Sequence, residues 1–249
     1  MIGFGPRTYR GKMGHERFHV FTISHCETDL WIGVDHDSWS AGMKERCLDA
    51  ILNMREELML WMKSHSGFGE SLVPLECDIT APPAIRGMTD ASSKAKVGPM
   101  AAVAGAFAQS VGELLVEEFG SREVIVENGG DIYLRVQQPV KISIFAGDSP
   151  LSETLGVTIP PSFSPLGICT SSGTVGHSLS FGKADAVMIA CRDTLLADAY
   201  ATSFGNKVRS CDDIEPTLNE IGACDEILSS VIIVGDRMGI RGLFDLCLF

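Results

Sequence analysis

Asp198 and Thr202 lie four residues apart in the run Ala197-Asp198-Ala199-Tyr200-Ala201-Thr202. On a helix that spacing puts a carboxylate and a hydroxyl on one face, one turn apart, with small neighbours leaving room beside them. Two hard oxygens are too few for an all-protein metal cage. They suit Mg²⁺, which keeps several waters and shares phosphate oxygens with its substrate. The same pair also fits a plainer account, with Asp198 favoured by the helix dipole and Thr202 bonding back to a carbonyl. A second constellation is Glu127-Asn128-Gly129-Gly130-Asp131. Asn-Gly marks a type I′ hairpin turn, which needs positive φ at both central residues. The two glycines also leave backbone N–H groups uncovered for a ligand edge or a ribose, with Asn128 and Asp131 flanking them. The third is the loop Cys169-Thr170-Ser171-Ser172-Gly173-Thr174-Val175-Gly176-His177-Ser178. Its small residues can turn successive N–H groups inward as an anion nest, or simply form a polar loop. A Cys169–His177 nucleophile pair is a third reading, but Cys169 ends an apolar strand and nothing points to a depressed thiol pKa.

These residues need elements to hold them. Phe18 to Val34 reads as a hairpin broken at His25 to Asp29. A helix follows, capped by Ser38 or Ser40, with Leu48, Ile51, Leu52, Leu58 and Trp61 at helical spacing up to about Lys63. From Leu72 to Lys96 we expect a short strand near Leu75, then a Pro82-Pro83 break and a polar loop. Val97 to Phe119 is a helix with Pro99 just inside its start. Its small-residue face, Ala101 to Ala108, serves either tight helix–sheet packing or the close approach of a ligand. Strands at Glu123–Glu127, Ile132–Val136, Val140–Phe145, Leu155–Ile159 and Leu166–Thr170, separated by turns, predict an antiparallel meander. Ala186 to Cys191 is a further strand. Asp193 or Thr194 caps a helix to about Phe204, stopped by Gly205-Asn206. Asp212 to Ile221 is helical, and Ser229–Val234 with Gly239–Leu248 forms a terminal hairpin. Strands and helices come in separate runs, so the fold class is α+β, in one compact unit with mainly antiparallel sheets. Strands flank helices in each half, a hint of two pseudo-repeats at about 15–120 and 121–249.

In their order and spacing these motifs resemble the ApbE-type flavin transferases (FAD:protein FMN transferases) over roughly residues 95–205. The matching stretches are the small-residue helix Ala101 to Leu115, Asn128-Gly129-Gly130-Asp131-Ile132, Thr170-Ser171-Ser172-Gly173, and Ala197-Asp198-x-x-x-Thr202. Each is weak alone; their joint order is more specific. The resemblance implies two T-fold-like repeats with FAD between them. It implies Mg²⁺ held by Asp198, Thr202 and a backbone carbonyl near Val103. Thr170, Ser171, Ser172 and Gly173 would meet phosphate or ribose, and Asn128, Gly129, Gly130 and Asp131 would line the nucleotide pocket. The implied reaction passes FMN from FAD to a Thr or Ser of an acceptor protein, or to water, with Asp198, Thr202 and His177 as the catalytic set. The sequence departs from the family at several points. Ala104 and Gln109 stand where the family carries a Lys and an Asp, and the segment that His177 and Gly182 echo is shortened. Two other readings use the same fold: a flavin or nucleotide binder without turnover, and a structural or assembly protein, for which an edge-to-edge homodimer is plausible.

Composition narrows the classes. The 249 residues carry a formal net charge of −12, which argues against a general nucleic-acid surface but not against one nucleotide held by backbone N–H groups and a metal. Eight cysteines without a CxxC give no zinc-ribbon or thioredoxin signature and read as mostly buried thiols of a reducing compartment. Met1 to Arg10 lacks an apolar signal stretch, and no run of 18 apolar residues suggests a membrane span. The expectation is a cytoplasmic protein.

Overall fold

A computed structural model describes residues 16–174 and 181–249, and every count below is of these residues. The first strands, β1 (Phe18–His25) and β2 (Thr28–Asp35), form the expected hairpin. Helices α1 (Gly42–Ser64), α2 (Pro83–Ala95) and α3 (Val103–Phe119) follow. Then come β3 (Val124–Asn128), β4 (Asp131–Arg135), β5 (Val140–Ser143), β6 (Leu155–Ile159), β7 (Leu166–Ser171) and β8 (Ala186–Cys191). Helices α4 (Thr194–Gly205) and α5 (Ile214–Ile221) precede β9 (Ile227–Val234), β10 (Arg237–Gly242) and β11 (Asp245–Leu248).

The architecture is α+β, with every strand pair antiparallel. Eight strands form one sheet in the order β1-β2-β3-β4-β7-β8-β9-β10, and β11-β6-β5 form a second. The expected meander is therefore interrupted: β5 and β6 leave, and β4 pairs directly with β7. The reason is that the large sheet is apolar on both faces. On one face Leu30, Ile32, Val124, Val126, Val187 and Ile189 pack under the helices. On the other, Ile132, Leu134, Leu166, Ile168 and Met188 pack with Val157 and Ile159 of the small sheet. A sheet buried on both faces needs a cover on each. The terminal hairpin is divided by the same demand. Its second strand stops at Gly242, whose φ of +131° suits glycine, and β11 crosses to the small sheet. The order hairpin, helices, hairpin occurs twice along the large sheet, over 18–135 and 166–242.

Two further expectations need correction. Among the described residues none near Leu75 is in a strand, and Pro83 to Ala95 is a helix rather than a loop. Pro83 stands at the start of α2, where its missing N–H costs nothing. Ile85, Met88, Ala91 and Ala95 are buried at helical spacing. The polar residues between them bond to their own helix: Thr89 Oγ1 to the Ile85 carbonyl at 2.8 Å and Ser92 Oγ to the Thr89 carbonyl at 2.9 Å. The thiols are also less hidden than expected. All eight cysteines are free, but only Cys47, Cys169 and Cys191 are buried. The segment Pro99–Phe119 is long and apolar enough to cross a membrane by length and composition, and half of its most apolar window is buried inside the protein.

Neither Ser38 nor Ser40 caps α1, which starts at Gly42 with no side-chain cap. Ser38 serves Asp35 instead. The Asp35 carboxylate accepts from the N–H groups of Ser38, Arg122 and Glu123 at 3.1, 2.9 and 3.1 Å, and from the Ser38 hydroxyl at 2.9 Å. It ties the end of β2 to the approach of β3. Burial alone would raise its pKa, but these donors, the Glu123 N–H first, hold it below the usual 3.8. A lowered carboxylate stabilises the fold above its unfolded pKa, and that contribution is lost as pH falls through the lower folded value. Asp35→Ala should therefore cost about 2 kcal/mol at pH 7. The difference in melting temperature from wild type should shrink below about pH 4; an unchanged difference at pH 3 would exclude this account.

Candidate functional site at the start of helix α3

The first N–H groups of a helix have no partner inside it. At the start of α3 they meet the carboxylate of Asp198 on α4: the Gly105 N–H donates to Oδ2 at 2.8 Å, and the Ala104 N–H faces the same carboxylate. The approach depends on Gly105 having no side chain. A Cβ there would lie 2.6 Å from the Thr194 carbonyl oxygen and 3.0 Å from Asp198 Cβ. The small-residue face of α3 thus packs α3 on α4 as well as on the sheet. One turn further along, the Thr194 N–H donates to Gln109 Oε1 at 2.8 Å. Of the two cap candidates, Asp193 rather than Thr194 caps α4, accepting from the Leu195 and Leu196 N–H groups.

The β3–β4 turn comes to the same place. Its central residues are Gly129 and Gly130, with φ of +70° and +107°, so Asn128 ends β3 opposite Asp131. The turn is one residue later than the Asn-Gly signal suggests. Asn128 is 8% exposed and donates from Nδ2 to the Ala104 carbonyl at 3.1 Å. From the other side of the sheet the buried Glu127 accepts from the Gly130 N–H at 2.9 Å. Side chains alternate along strands. Asn128 and Asp131 therefore share the helix face with Val126 and Tyr133, and Cys169 and Ser171 share it on β7. Cys169, opposite Asp131 in the ladder, places its thiol 3.5 Å from the Thr194 carbonyl.

Asp198 is 8% exposed. Burial pushes its pKa well above the carboxylate range, and the nearby Asp131 charge adds to this, while the N–H groups of Gly105 and Ala104 oppose it. Burial likewise pushes the Cys169 thiol up, with Asp131 and Asp198 adding to it. Thr202 is half-buried one turn beyond Asp198, and its hydroxyl bonds to no described residue. Val103, half-buried, is the first residue of α3.

The Thr170 to Gly173 stretch runs from the glycine turn toward the other end of α4. Thr170 turns its side chain away from the helix face, and its carbonyl faces Gly130. Ser171 Oγ lies 3.1 Å from where a Gly205 Cβ would stand. Ser172 accepts from the Thr174 N–H at 3.1 Å, and the Gly173 N–H is used by the Ala184 carbonyl. From Asp198 to Gly205 is about 10 Å along a helix axis, so the stretch from Ser171 onward lines one end of a strip and the carboxylates, with Thr170 and the glycine turn, the other. His177 lies outside the described residues. Among the described residues no three His, Cys, Asp or Glu side chains form a metal cluster. The oxygen donors present are Asp198, its neighbour Asp131, Thr202 and backbone carbonyls. That donor set is hard, negative and incomplete, which is how a protein holds Mg²⁺ together with a phosphate ligand. Two clefts of about 340 and 350 Å³ lie along α1, lined by Trp61, His65 and Phe68 and by His25, Leu52 and Arg55, and share no residue with this site.

Sequence reasoning missed Glu127 and treated Gln109 only as a departure. Glu127 had one signal, an acid at an inward position of the strand Val124-Ile125-Val126-Glu127-Asn128.

The fold is that of the ApbE flavin transferases. The Vibrio cholerae flavin transferase ApbE superposes with a TM-score of 0.57 at 11% identity, over 90% of this chain and 96% of that one. The ApbE protein of Thermotoga maritima gives 0.57 at 12%, over 90% and 97%. A family model described as AbpE bacteria matches residues 11–225, and the chain belongs to that family. Relatives named UPF0280 protein include one from Methanocella arvoryzae, 41% identical over 79% of each chain, and one from Methanocaldococcus jannaschii, 37% identical over 87% of each.

Proposed function

We propose that this chain binds a flavin nucleotide with the help of Mg²⁺ and acts on the pyrophosphate of FAD. The observation that carries the reading is the buried Asp198 carboxylate, held at the start of α3 beside Asp131 with the Thr202 hydroxyl one turn away. Asp198, Thr202 and the Val103 carbonyl would hold the ion. When bound, Mg²⁺ would offset the charge that builds on the pyrophosphate. Asn128, Gly129, Gly130 and Asp131 would line the nucleotide. Ser171, Ser172 and Gly173, with the Thr170 backbone, would meet the phosphate or ribose end. A hydroxyl oxygen of an acceptor protein's Thr or Ser, or of water, forms a bond to the flavin-side phosphorus. The bond from that phosphorus to the bridging oxygen breaks, and AMP leaves with it. His177 is the imidazole assigned to the acceptor's proton.

A cytoplasmic setting belongs to this reading, and eight free thiols favour it. An edge-to-edge homodimer would use β1 or β10, the ends of the large sheet.

A second reading is favoured by Gln109. It stands where the resembling family carries an acid, and its amide is already spent on Thr194 and Glu113. On that reading FAD binds without turnover. One experiment separates the two. The purified protein is mixed with FAD, with Mg²⁺ or with chelator, and flavin fluorescence and release of AMP and FMN are followed. Transfer predicts Mg²⁺-dependent AMP release. Binding alone predicts a saturable fluorescence change with no products. Neither signal would remove both.

A further inference from the structure

Helices α3 and α4 are joined by two hydrogen bonds that fall one turn apart on each helix. The Gly105 N–H donates to Asp198 Oδ2 at 2.8 Å, and the Thr194 N–H donates to Gln109 Oε1 at 2.8 Å. Residues 105 and 109 are one turn apart on α3, and 194 and 198 one turn apart on α4. The second bond is not easily replaced. Thr194 is fully buried, so water cannot take over its N–H, and a buried donor without a partner is costly. Asp193 takes the next two N–H groups of α4, Leu195 and Leu196. The Thr194 N–H is the one of the three bonded to α3. The Gln109 amide is also kept in one orientation: its Nε2 donates to Glu113 Oε1 at 3.0 Å. An ionised carboxylate only accepts, so the amide nitrogen must face Glu113 and the oxygen must face Thr194.

We propose that Gln109 is a positioning residue, which fixes where α4 presents the Asp198 carboxylate at the start of α3 and thereby sets the affinity of that carboxylate for a divalent cation. The proposal rests on the assignment of Asp198 to a cation in the proposed function. Gln109 itself touches neither cation nor nucleotide. It acts through the Thr194 backbone, one turn before Asp198.

The test uses Mn²⁺ as the probe, with the full chain freed of metal by chelation. Binding is read as loss of the free-ion electron paramagnetic resonance signal, well below the melting temperature and without FAD. Wild type should bind, and Asp198→Asn should not. Gln109→Ala should bind about tenfold more weakly, because the first turn of α4 loses the partner that fixes it. The exchange Q109E/E113Q keeps the net charge and restores the pattern, since a carboxylate at 109 can accept from both the Thr194 N–H and the amide at 113. It should bind within about threefold of wild type. A merely structural Gln109 would lower the melting temperature of the alanine variant and leave Mn²⁺ affinity unmoved, and that result overturns the proposal. So does an exchange variant that folds with a wild-type melting temperature and still binds as weakly as Q109A. Mn²⁺ bound equally by wild type and D198N, or by neither, would instead overturn the cation assignment itself.

Discussion

Asp198→Asn is expected to cut Mg²⁺-dependent release of AMP from FAD by about a thousandfold and, in chelator at neutral pH, to raise the melting temperature. The two effects have one cause. Asp198 is nearly buried, and its folded-state pKa lies well above the usual 3.8 because of burial first and the Asp131 charge second. The folded chain therefore holds this proton more tightly than the unfolded chain. Its contribution to stability is complete below the unfolded pKa and is lost as pH rises through the folded value. A charge on Asp198 is thus disfavoured in the metal-free protein, where the group lies beside Asp131 on β4 and the Cys169 thiol on β7 and only the N–H groups of α3 favour its ionised form. Asparagine keeps an oxygen for the Gly105 N–H and removes the charge. For a chain of this size each kcal/mol recovered moves the melting temperature by about 2–4 °C. The gain should vanish in acid, where wild type is protonated as well. A cation reverses the order, stabilising wild type by mass action and leaving the variant unmoved. Turnover should fall by about a thousandfold, since charge stabilisation by a metal is worth several kcal/mol and each 1.36 kcal/mol is tenfold. Calorimetry across pH 4–8 with and without Mg²⁺ checks the stability half. A D198N protein less stable than wild type at every pH would contradict it.

The parts of this molecule that sequence showed well are those settled by near neighbours. β6 and β8 have the predicted limits, because short apolar runs rich in Val and Ile are bounded by turn residues. Asp193 at the head of α4 is a local hydrogen-bond matter and was visible as such. The order of motifs also placed Asp198, Asn128 and Asp131 together, and the structure brings all three to the start of α3. What stayed hidden depends on partners far along the chain. Pro82-Pro83 reads locally as a break, and only the buried face of Ile85, Met88 and Ala95 makes α2 a helix. The exit of β5 and β6 to a second sheet follows from both faces of the large sheet being apolar, which no single strand declares. Gln109 finds Thr194 across 85 residues, and Gly105 finds Asp198 across 93. No spacing rule reaches that far.

A loss of stability larger than that of Asp35→Ala should come from Gly167→Ala, a change that touches none of the residues assigned to ligand. Gly167 stands on β7 on the same face as Cys169, directly beneath the first residue of α4. A Cβ there would overlap the Thr194 Cα and come within 2.9 Å of both its N and Cβ. The obstacle is backbone, so no rotamer change relieves it. α4 must lift, and three attachments meet at the residue that would move. These are the Thr194 N–H on Gln109, the Cys169 thiol on the Thr194 carbonyl, and the Asp193 cap beside it. Overpacking a well-filled core typically costs 1–3 kcal/mol, and clashes with backbone belong at the upper end, so about 3 kcal/mol is expected. Gly42→Ala supplies the contrast. Gly42 begins α1, and a Cβ there meets nothing within 4 Å, so the change should be neutral or stabilise by up to about 1 kcal/mol. Urea unfolding of the two variants beside wild type measures both. If Gly167→Ala unfolds within about 0.5 kcal/mol of wild type, the seat of α4 is softer than its contacts imply. The Gly105–Asp198 contact, which depends on that seat, would then lose its rigidity as the basis for a cation site.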